Sequence, residues 1–417
     1  MIATVPLSLV LSALVSLDAG PVLGDLTSDS VRVWVRTTDP THVRIELQDD
    51  SGRWGLMSSM QFETTADRDN TTIASISGLS PATRYTYTID GRRDVNWWFE
   101  TQPVMSDTCL IAFGSCANEE IGSSAVWNRM LAQQISALVL LGDTPYIDTT
   151  DLKTQRARYR AFAMVPAFAQ LVAHTPVYST WDDHDFGRND TDGNLPGKEN
   201  SRQAFGEYRP NPSIGEAGQG IYTKFRQGPV EVFLLDARWF ARTQGDAEAP
   251  TLLGDQQWQW LERSLRASTA PFKVLACGMV FNGAVRPGKT DCWGVYPKEY
   301  DRLIDLLART HTTGAMLVSG DVHWSRVIAH DTKRQLGYTL VECVTSPIHE
   351  HLIKAADVPH PGLVFSIGEP NSFLVVEAAK SPDGHILVAR LLNAKGAILH
   401  EQQVLATQSN VDREAGR

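Results

Sequence analysis

Eleven consecutive residues, Thr180 to Asp190, read Thr-Trp-Asp-Asp-His-Asp-Phe-Gly-Arg-Asn-Asp and hold four carboxylates, an imidazole and a carboxamide. A chain cannot bury that many like charges together unless positive charge neutralises them, and for a mixture of Asp, His and Asn the usual neutraliser is a metal ion. The alternative is a solvated acidic loop. What precedes the cluster argues against it: His174-Thr175-Pro176-Val177-Tyr178-Ser179-Thr180-Trp181 reads as a buried β-strand. The carboxylates therefore emerge where an α/β sheet keeps its ligands, at the carboxyl end of a strand.

The same arrangement recurs along the chain. The strand Leu110 to Phe113 stops at Gly114-Ser115-Cys116, and the strand Ala137 to Leu141 runs into Gly142-Asp143-Thr144-Pro145-Tyr146. The strand Ala315 to Ser319 runs into Gly320-Asp321-Val322-His323-Trp324. With Asp182, Asp183, His184, Asp185, Asn189 and Asp190, this makes four strand ends bearing oxygen, nitrogen or sulfur donors, expected to belong to one sheet. One Gly-Asp after a strand is also a common turn, but four such sets converge naturally only on a metal. A carboxylate such as Asp143 can bridge two cations, and such a pair can bind a phosphoryl group, activate water and stabilise the leaving oxygen.

The remaining units alternate strand and helix. Helical spacing appears at Ala125 to Ile135, from about Asp255 to Arg266, and at Lys298 to Arg309; strand character appears at Val230 to Leu235 and Phe272 to Val280. Trp258, Trp260 and Leu261 are expected as helix-face core, and turns at Pro382-Asp383-Gly384 and Asn393-Ala394-Lys395-Gly396 mark hairpins in the tail. Before all this, residues 20–102 show period two, with Val31, Val33 and Val35 on one face and Val43, Ile45 and Leu47 on another, so an all-β domain is expected there. Gly78-Leu79-Ser80-Pro81-Ala82-Thr83-Arg84-Tyr85-Thr86-Tyr87 resembles the strand-entry corner of a fibronectin III-like sandwich, where a tyrosine anchors the edge by its hydroxyl, and a linker near Gln102-Pro103-Val104 ends the domain. At 417 residues two domains are the natural expectation, the second over residues 105–417.

Composition narrows the function. A net charge of −10 argues against a nucleic-acid-binding surface. Val5 to Leu17 is almost uninterrupted apolar, too short to span a bilayer and placed like the hydrophobic region of a signal peptide. No Lys or Arg precedes it, and Leu17-Asp18-Ala19 is a partial match to a cleavage site. The expectation is an export signal over residues 1–19 and a secreted or periplasmic protein, the alternative an N-terminal strand; no other segment suggests a transmembrane span. Five cysteines without C-x-x-C spacing indicate neither a zinc ribbon nor a disulfide framework.

These motifs resemble the PhoD-like alkaline phosphatases and phosphodiesterases, a branch of the calcineurin-like metallophosphoesterases. The likeness covers nearly the whole chain and rests on Gly78-Leu79-x-Pro81, Phe113-Gly114-Ser115-Cys116, Gly142-Asp143-x-x-Tyr146, Trp181 to Asp190, Leu235-Asp236-x-Arg238 and Ser319 to Trp324. It implies a β-sandwich followed by a four-layer α/β/β/α domain, and metal-dependent hydrolysis of phosphate esters by a metal-activated hydroxide. By the family pattern Cys116, Asp143, Tyr146, Asp183 and His323 would be metal ligands, with Asp321 in or beside that shell and Asn189 a further donor. Relatives carry ferric iron with calcium, which suits thiolate, phenolate and carboxylate together; zinc or manganese are the alternatives. The chain departs from many relatives at Thr144 to Asp148, where an acidic residue more often follows the tyrosine directly.

His184 would donate a proton to the leaving alkoxide or contact phosphate, or else orient a carboxylate. Arg238 would clamp a phosphate oxygen or pair with Asp236 or Asp255, and Cys116 would ligate or lie as a plain buried thiol. No G-x-S-x-G elbow occurs, which removes the main serine-hydrolase reading. The expected partner is a small-molecule phosphate ester. The alternatives are a phospholipase D-like phosphodiesterase on the same site, or a non-catalytic metal or phosphate-ester binder.

Overall fold

Val31, Val33 and Val35 alternate along the strand Ser30–Thr37, and Val43, Ile45 and Leu47 along Thr41–Asp49. Successive side chains of a pleated strand point to opposite sides, so each apolar set lands on one face, and all six are buried. In the computed structural model, which describes residues 17–50, 59–243, 250–382 and 384–406, these faces meet. A three-stranded antiparallel sheet (in order Leu17–Gly24, Ser30–Thr37, Thr71–Ser77) lies on a four-stranded one (Ser59–Thr64, Thr41–Asp49, Arg84–Ile89, Trp98–Glu100) around a shared core. At the expected corner the Tyr85 hydroxyl accepts the Ser80 N–H at 2.9 Å.

Residues 1–16 lie outside the described residues, and with them most of the expected export signal. Its last three, Leu17 to Ala19, open the first strand, where Asp18 pairs with Arg36 at 2.5 Å and Arg160 at 2.8 Å. Among the described residues no helix is long and apolar enough to cross a membrane. Val22 and Trp34, on the outer face of the first sheet, pack into the next unit, and the Trp34 indole donates to the Glu207 carbonyl at 2.8 Å.

That unit holds two sheets face to face. The six-stranded one runs Val177–Thr180, Ala137–Leu141, Cys109–Gly114, Ser372–Ser381, Gly384–Asn393 and Ile398–Leu405, its first three strands parallel and its last three the expected hairpins. The seven-stranded one runs Thr223–Gln227, Val230–Leu234, Phe272–Ala276, Ala315–Ser319, Val341–Val344, Ser325–Ala329 and Leu363–Ile367, parallel from the second to the fifth. Ile111, Phe113, Val139 and Leu141 meet Val232, Val274 and Val318 in a core between them. Helices Ile121–Ala132, Leu152–Ala163, Pro166–Val172 and Lys198–Tyr208 cover the first sheet's other face. Gly254–Ala267 and Pro297–Arg309 cover the second's, with Trp258, Trp260 and Leu261 in core positions as expected.

The expectation of one sheet bearing all four donor-carrying strand ends is corrected. Three of them belong to the six-stranded sheet, whereas Ala315–Ser319, which leads to Asp321 and His323, belongs to the seven-stranded one. Strands buried on both faces read as plain apolar runs, so periodicity carries no mark of which sheet they join. Because the sheets stack with these ends on one side, the donors converge at the seam.

Candidate metal centre

The donors follow their strands within a few residues, four of them on backbone that few side chains tolerate. Cys116, Asp143, Asp321 and His323 have φ of 57°, 53°, 66° and 52°, in the left-handed region. Such a conformation costs a non-glycine residue about 1–3 kcal/mol and persists only where the surrounding structure enforces it. Two glycines make room beside Asp182: a Cβ on Gly142 or on Gly278 would collide with it. Asp182 caps the short helix Asp183–Phe186, and its own N–H donates to Asp185 Oδ1 at 2.6 Å. The acidic stretch is thus a helical turn whose N-terminal N–H groups are satisfied by its own carboxylates.

The donors fall into overlapping groups. Ligand atoms of Cys116, Asp143 and His323 lie within 4.8 Å of one another, as do those of Asp143, Asp183 and His184, and those of Asp143, Asp182, Asp183 and Asp321. Asp143 is common to all three. Cys116 Sγ lies 3.5 Å from Asp143 Oδ2 and accepts from Ser346 Oγ at 3.2 Å. The Tyr146 hydroxyl is 2.9 Å from His323 Nε2 and 2.9 Å from His349 Nε2. The backbone N–H of His184 points at Asp183 Oδ1 (3.0 Å) and Asp143 Oδ1 (3.3 Å), while His184 Nδ1 meets Asp148 Oδ1 at 2.5 Å.

The electrostatics show what the protein leaves uncompensated. Burial, and then Asp183, Asp182, Asp185 and Asp321 around it, push the Asp143 carboxyl well above the usual carboxylate range. Burial and the nearby Asp143 push the Cys116 thiol up, and burial with Cys116 beside it does the same to Tyr146. Burial raises Asp321 to about 6 against the pull of Lys289. Burial acts upward on Asp183 too, but Arg238, His184 and Lys289 outweigh it and hold Asp183 at about 2. Burial and His349 lower His323 to about 3, leaving the neutral imidazole that ligates metals.

Three buried atoms in this cluster have no hydrogen-bond partner: Asp182 Oδ2, Asp321 Oδ2 and His323 Nδ1. The two carboxylate oxygens offer lone pairs, as does His323 Nδ1 in the tautomer protonated at Nε2, and unmet acceptors among crowded carboxylates are what a cation from outside the chain would satisfy. Carboxylates, imidazole, thiolate and phenolate together suit a pair of metal ions, one softer and one harder.

Not every expected residue takes the expected place. Arg238 is fully buried; Nε and Nη2 donate to Asp182 Oδ1, and Nη1 and Nη2 reach Asp291 at 2.7 Å each. Its ion-pair partners are Asp182 and Asp291, with Asp183 at 4.0 Å, rather than Asp236 or Asp255, and the guanidinium is engaged without a phosphate. Asp236 instead accepts from the Trp181 indole at 2.7 Å. Asn189 is exposed and enters none of these contacts; its neighbour Asp190, also exposed, donates its backbone N–H to Asp183 Oδ2 at 2.7 Å. Sequence reasoning passed over Lys289, Asp291, Ser346 and His349. They stand on loops without a strand-end glycine to flag them, although His349-Glu350-His351 had a histidine pair to offer. All five cysteines are free and buried.

Residues 111–361 match a family model described as PhoD-like phosphatase, and residues 14–107 match a domain of unknown function (DUF7800). Alkaline phosphatase D of Bacillus subtilis (strain 168) is 26% identical, over 73% of this chain and 64% of that protein, so the chain spans less than two thirds of that relative's length. A solved PhoD structure superposes with a TM-score of 0.71 at 19% identity, covering 95% of this chain and 94% of that one. A dimetal phosphatase of Danio rerio reaches a TM-score of 0.44 at 11% identity over 72% of this chain and 99% of that one, a likeness too slight to argue from.

Proposed function

Since the chain belongs to the PhoD-like phosphatase family, we propose that it is a metal-dependent hydrolase of phosphate esters, of the alkaline phosphatase type, acting on monoesters, diesters or both. One observation carries the reading: Asp143, Asp182, Asp183 and Asp321 crowd within 4.8 Å while Asp182 Oδ2, Asp321 Oδ2 and His323 Nδ1 lack any protein partner. Cys116, Tyr146, His323 and Asp143 would hold one ion, and Asp143, Asp183 and Asp321 the other. Bound there, the ions would supply Lewis acidity, drawing charge from the phosphoryl oxygens and making a water acidic enough to attack phosphorus.

The chain's own residues do the rest. Asp148 fixes the His184 ring through Nδ1, which leaves Nε2 to give a proton to the departing alkoxide. The His184 side chain is 21% exposed, as a group that meets substrate should be. Arg238 locks Asp182 and Asp291 and is a positioning residue.

We assign the first ion to ferric iron. Thiolate and phenolate bind only when deprotonated, and a highly charged cation best offsets the burial that pushes Cys116 and Tyr146 up. Calcium, which takes oxygen ligands, suits the aspartate side. The architecture that goes with this reading is a fibronectin III-like sandwich leading a four-layer α/β/β/α catalytic unit. Export would follow from the apolar run Val5 to Leu17, and removal of a leader would fall ahead of Asp18, which is tied to Arg36 and Arg160. Asp143→Asn tests the activity: with metal content matched, it should abolish hydrolysis of both nitrophenyl phosphate and bis-nitrophenyl phosphate. A tenth of wild-type turnover remaining would overturn the site assignment, and wild-type protein that binds metals without hydrolysing either ester would overturn the activity.

A further inference from the structure

Lys289 sits between Gly288 and Thr290, both exposed, yet its own side chain is only 2% exposed. From a surface loop it reaches inward, and its ammonium lies 2.7 Å from Asp321 Oδ1, 3.2 Å from Asp190 Oδ1 and 3.8 Å from Asp291 Oδ2. A lysine on such a loop normally keeps its ammonium in water, because burial is costly without compensation. Here three carboxylates compensate it. Two of them, Asp190 and Asp291, form with Asp183 a set of oxygens within 4.8 Å of one another, close enough to hold a metal ion. Arg238 holds Asp291 from another direction.

We propose that Lys289 is an internal cation that occupies this corner in place of a metal ion and, in doing so, positions Asp321 for the centre proper. The inference rests on reading the centre as a metal site. Asp321 shows the division of labour: Oδ1 is held by the ammonium, while Oδ2 is buried and partnerless, and the residue is grouped with Asp143, Asp182 and Asp183. The ammonium donates a hydrogen bond to Asp321 and, as a compact charge, pairs with Asp190 and Asp291 at longer range. A divalent ion would need the same oxygens, and the two cations would repel at that range. The chain therefore keeps metal out of this corner of its own centre. Without the ammonium, Asp190, Asp291 and Asp321 lose a shared partner and open a further position; arginine would keep it closed.

Wild type, Lys289→Gln and Lys289→Arg, purified with their metals and equilibrated with excess calcium chloride, are compared by elemental analysis and calorimetric titration. Wild type and Lys289→Arg should hold the same number of ions per chain and Lys289→Gln one more. A folded Lys289→Gln with no ion beyond the wild-type number overturns the proposal. Should that variant fold poorly, the double variant Lys289→Gln with Asp190→Asn, which removes one charge of each sign, must fold and return to the wild-type number of ions; an additional ion retained there also overturns it. Wild type that binds no metal is a different result, and it removes the metal reading together with this inference.

Discussion

Replacing Arg238 with methionine separates structural pairing from substrate binding. The guanidinium is wholly buried, doubly bonded to Asp182, held to Asp291 by two contacts of 2.7 Å, and donates to the Thr191 carbonyl at 3.1 Å. Methionine fills similar length without charge, so two buried carboxylates lose their partner. Removing one member of a buried ion pair costs about 3–5 kcal/mol, a large share of a stability that is typically about 5–15 kcal/mol. An unfolding entropy of about 2.1 cal/mol/K per residue, over 417 residues, converts that cost into a melting temperature lower by roughly 3–6 °C for a chain that melts as one unit. Scanning calorimetry in chelator reads the effect free of the metals' own contribution. Adding Asp291→Asn to Arg238→Met should recover part of the loss, because one stranded charge goes. An unchanged melting temperature together with a raised KM for a phosphate ester would refute the reasoning and return Arg238 to the role of phosphate clamp.

Two further outcomes follow from the site. His184→Ala should slow hydrolysis of an alkyl phosphate by about 10²–10⁴-fold, as expected for loss of a general acid, and that of nitrophenyl phosphate much less, since only the alkoxide needs the proton; equal losses would reassign His184 to orienting a carboxylate or binding phosphate. Protein purified with its metals should be coloured by phenolate-to-iron charge transfer, and Tyr146→Phe should shift or bleach the band with the fold intact; a colourless, fully active, iron-free preparation would leave calcium, zinc or manganese in its place.

The strands were legible because the pleat acts locally. Ala137–Leu141 and Ala315–Ser319 begin and end where their apolar runs do, and the alternating valines of Ser30–Thr37 face one core. Elsewhere a neighbour set the boundary: the run Phe272 to Val280 leaves strand geometry after Ala276, and Gly278 then passes so close to Asp182 that no Cβ fits. The residues that cluster at the candidate centre were legible in the same way. Cys116, Asp143, Asp183, Asp321 and His323 each stand just past a strand, four of them after a strand-end glycine, and turn chemistry is written within a few residues of sequence.

What the sequence by itself determined is therefore the set of strands and the donors at their ends. Which of those ends share a sheet, and which charges answer the donors, only the tertiary structure decided. Asp321 arrives from the opposite sheet, Arg238 closes on Asp182 and Asp291 rather than on Asp236, and Lys289 reaches in from a loop with no mark upon it. Periodicity and turns depend on bonds and contacts a few residues apart. The pairing of charges depends on which loops the two stacked sheets bring within a few ångströms, and a buried charge takes whichever opposite charge that packing supplies.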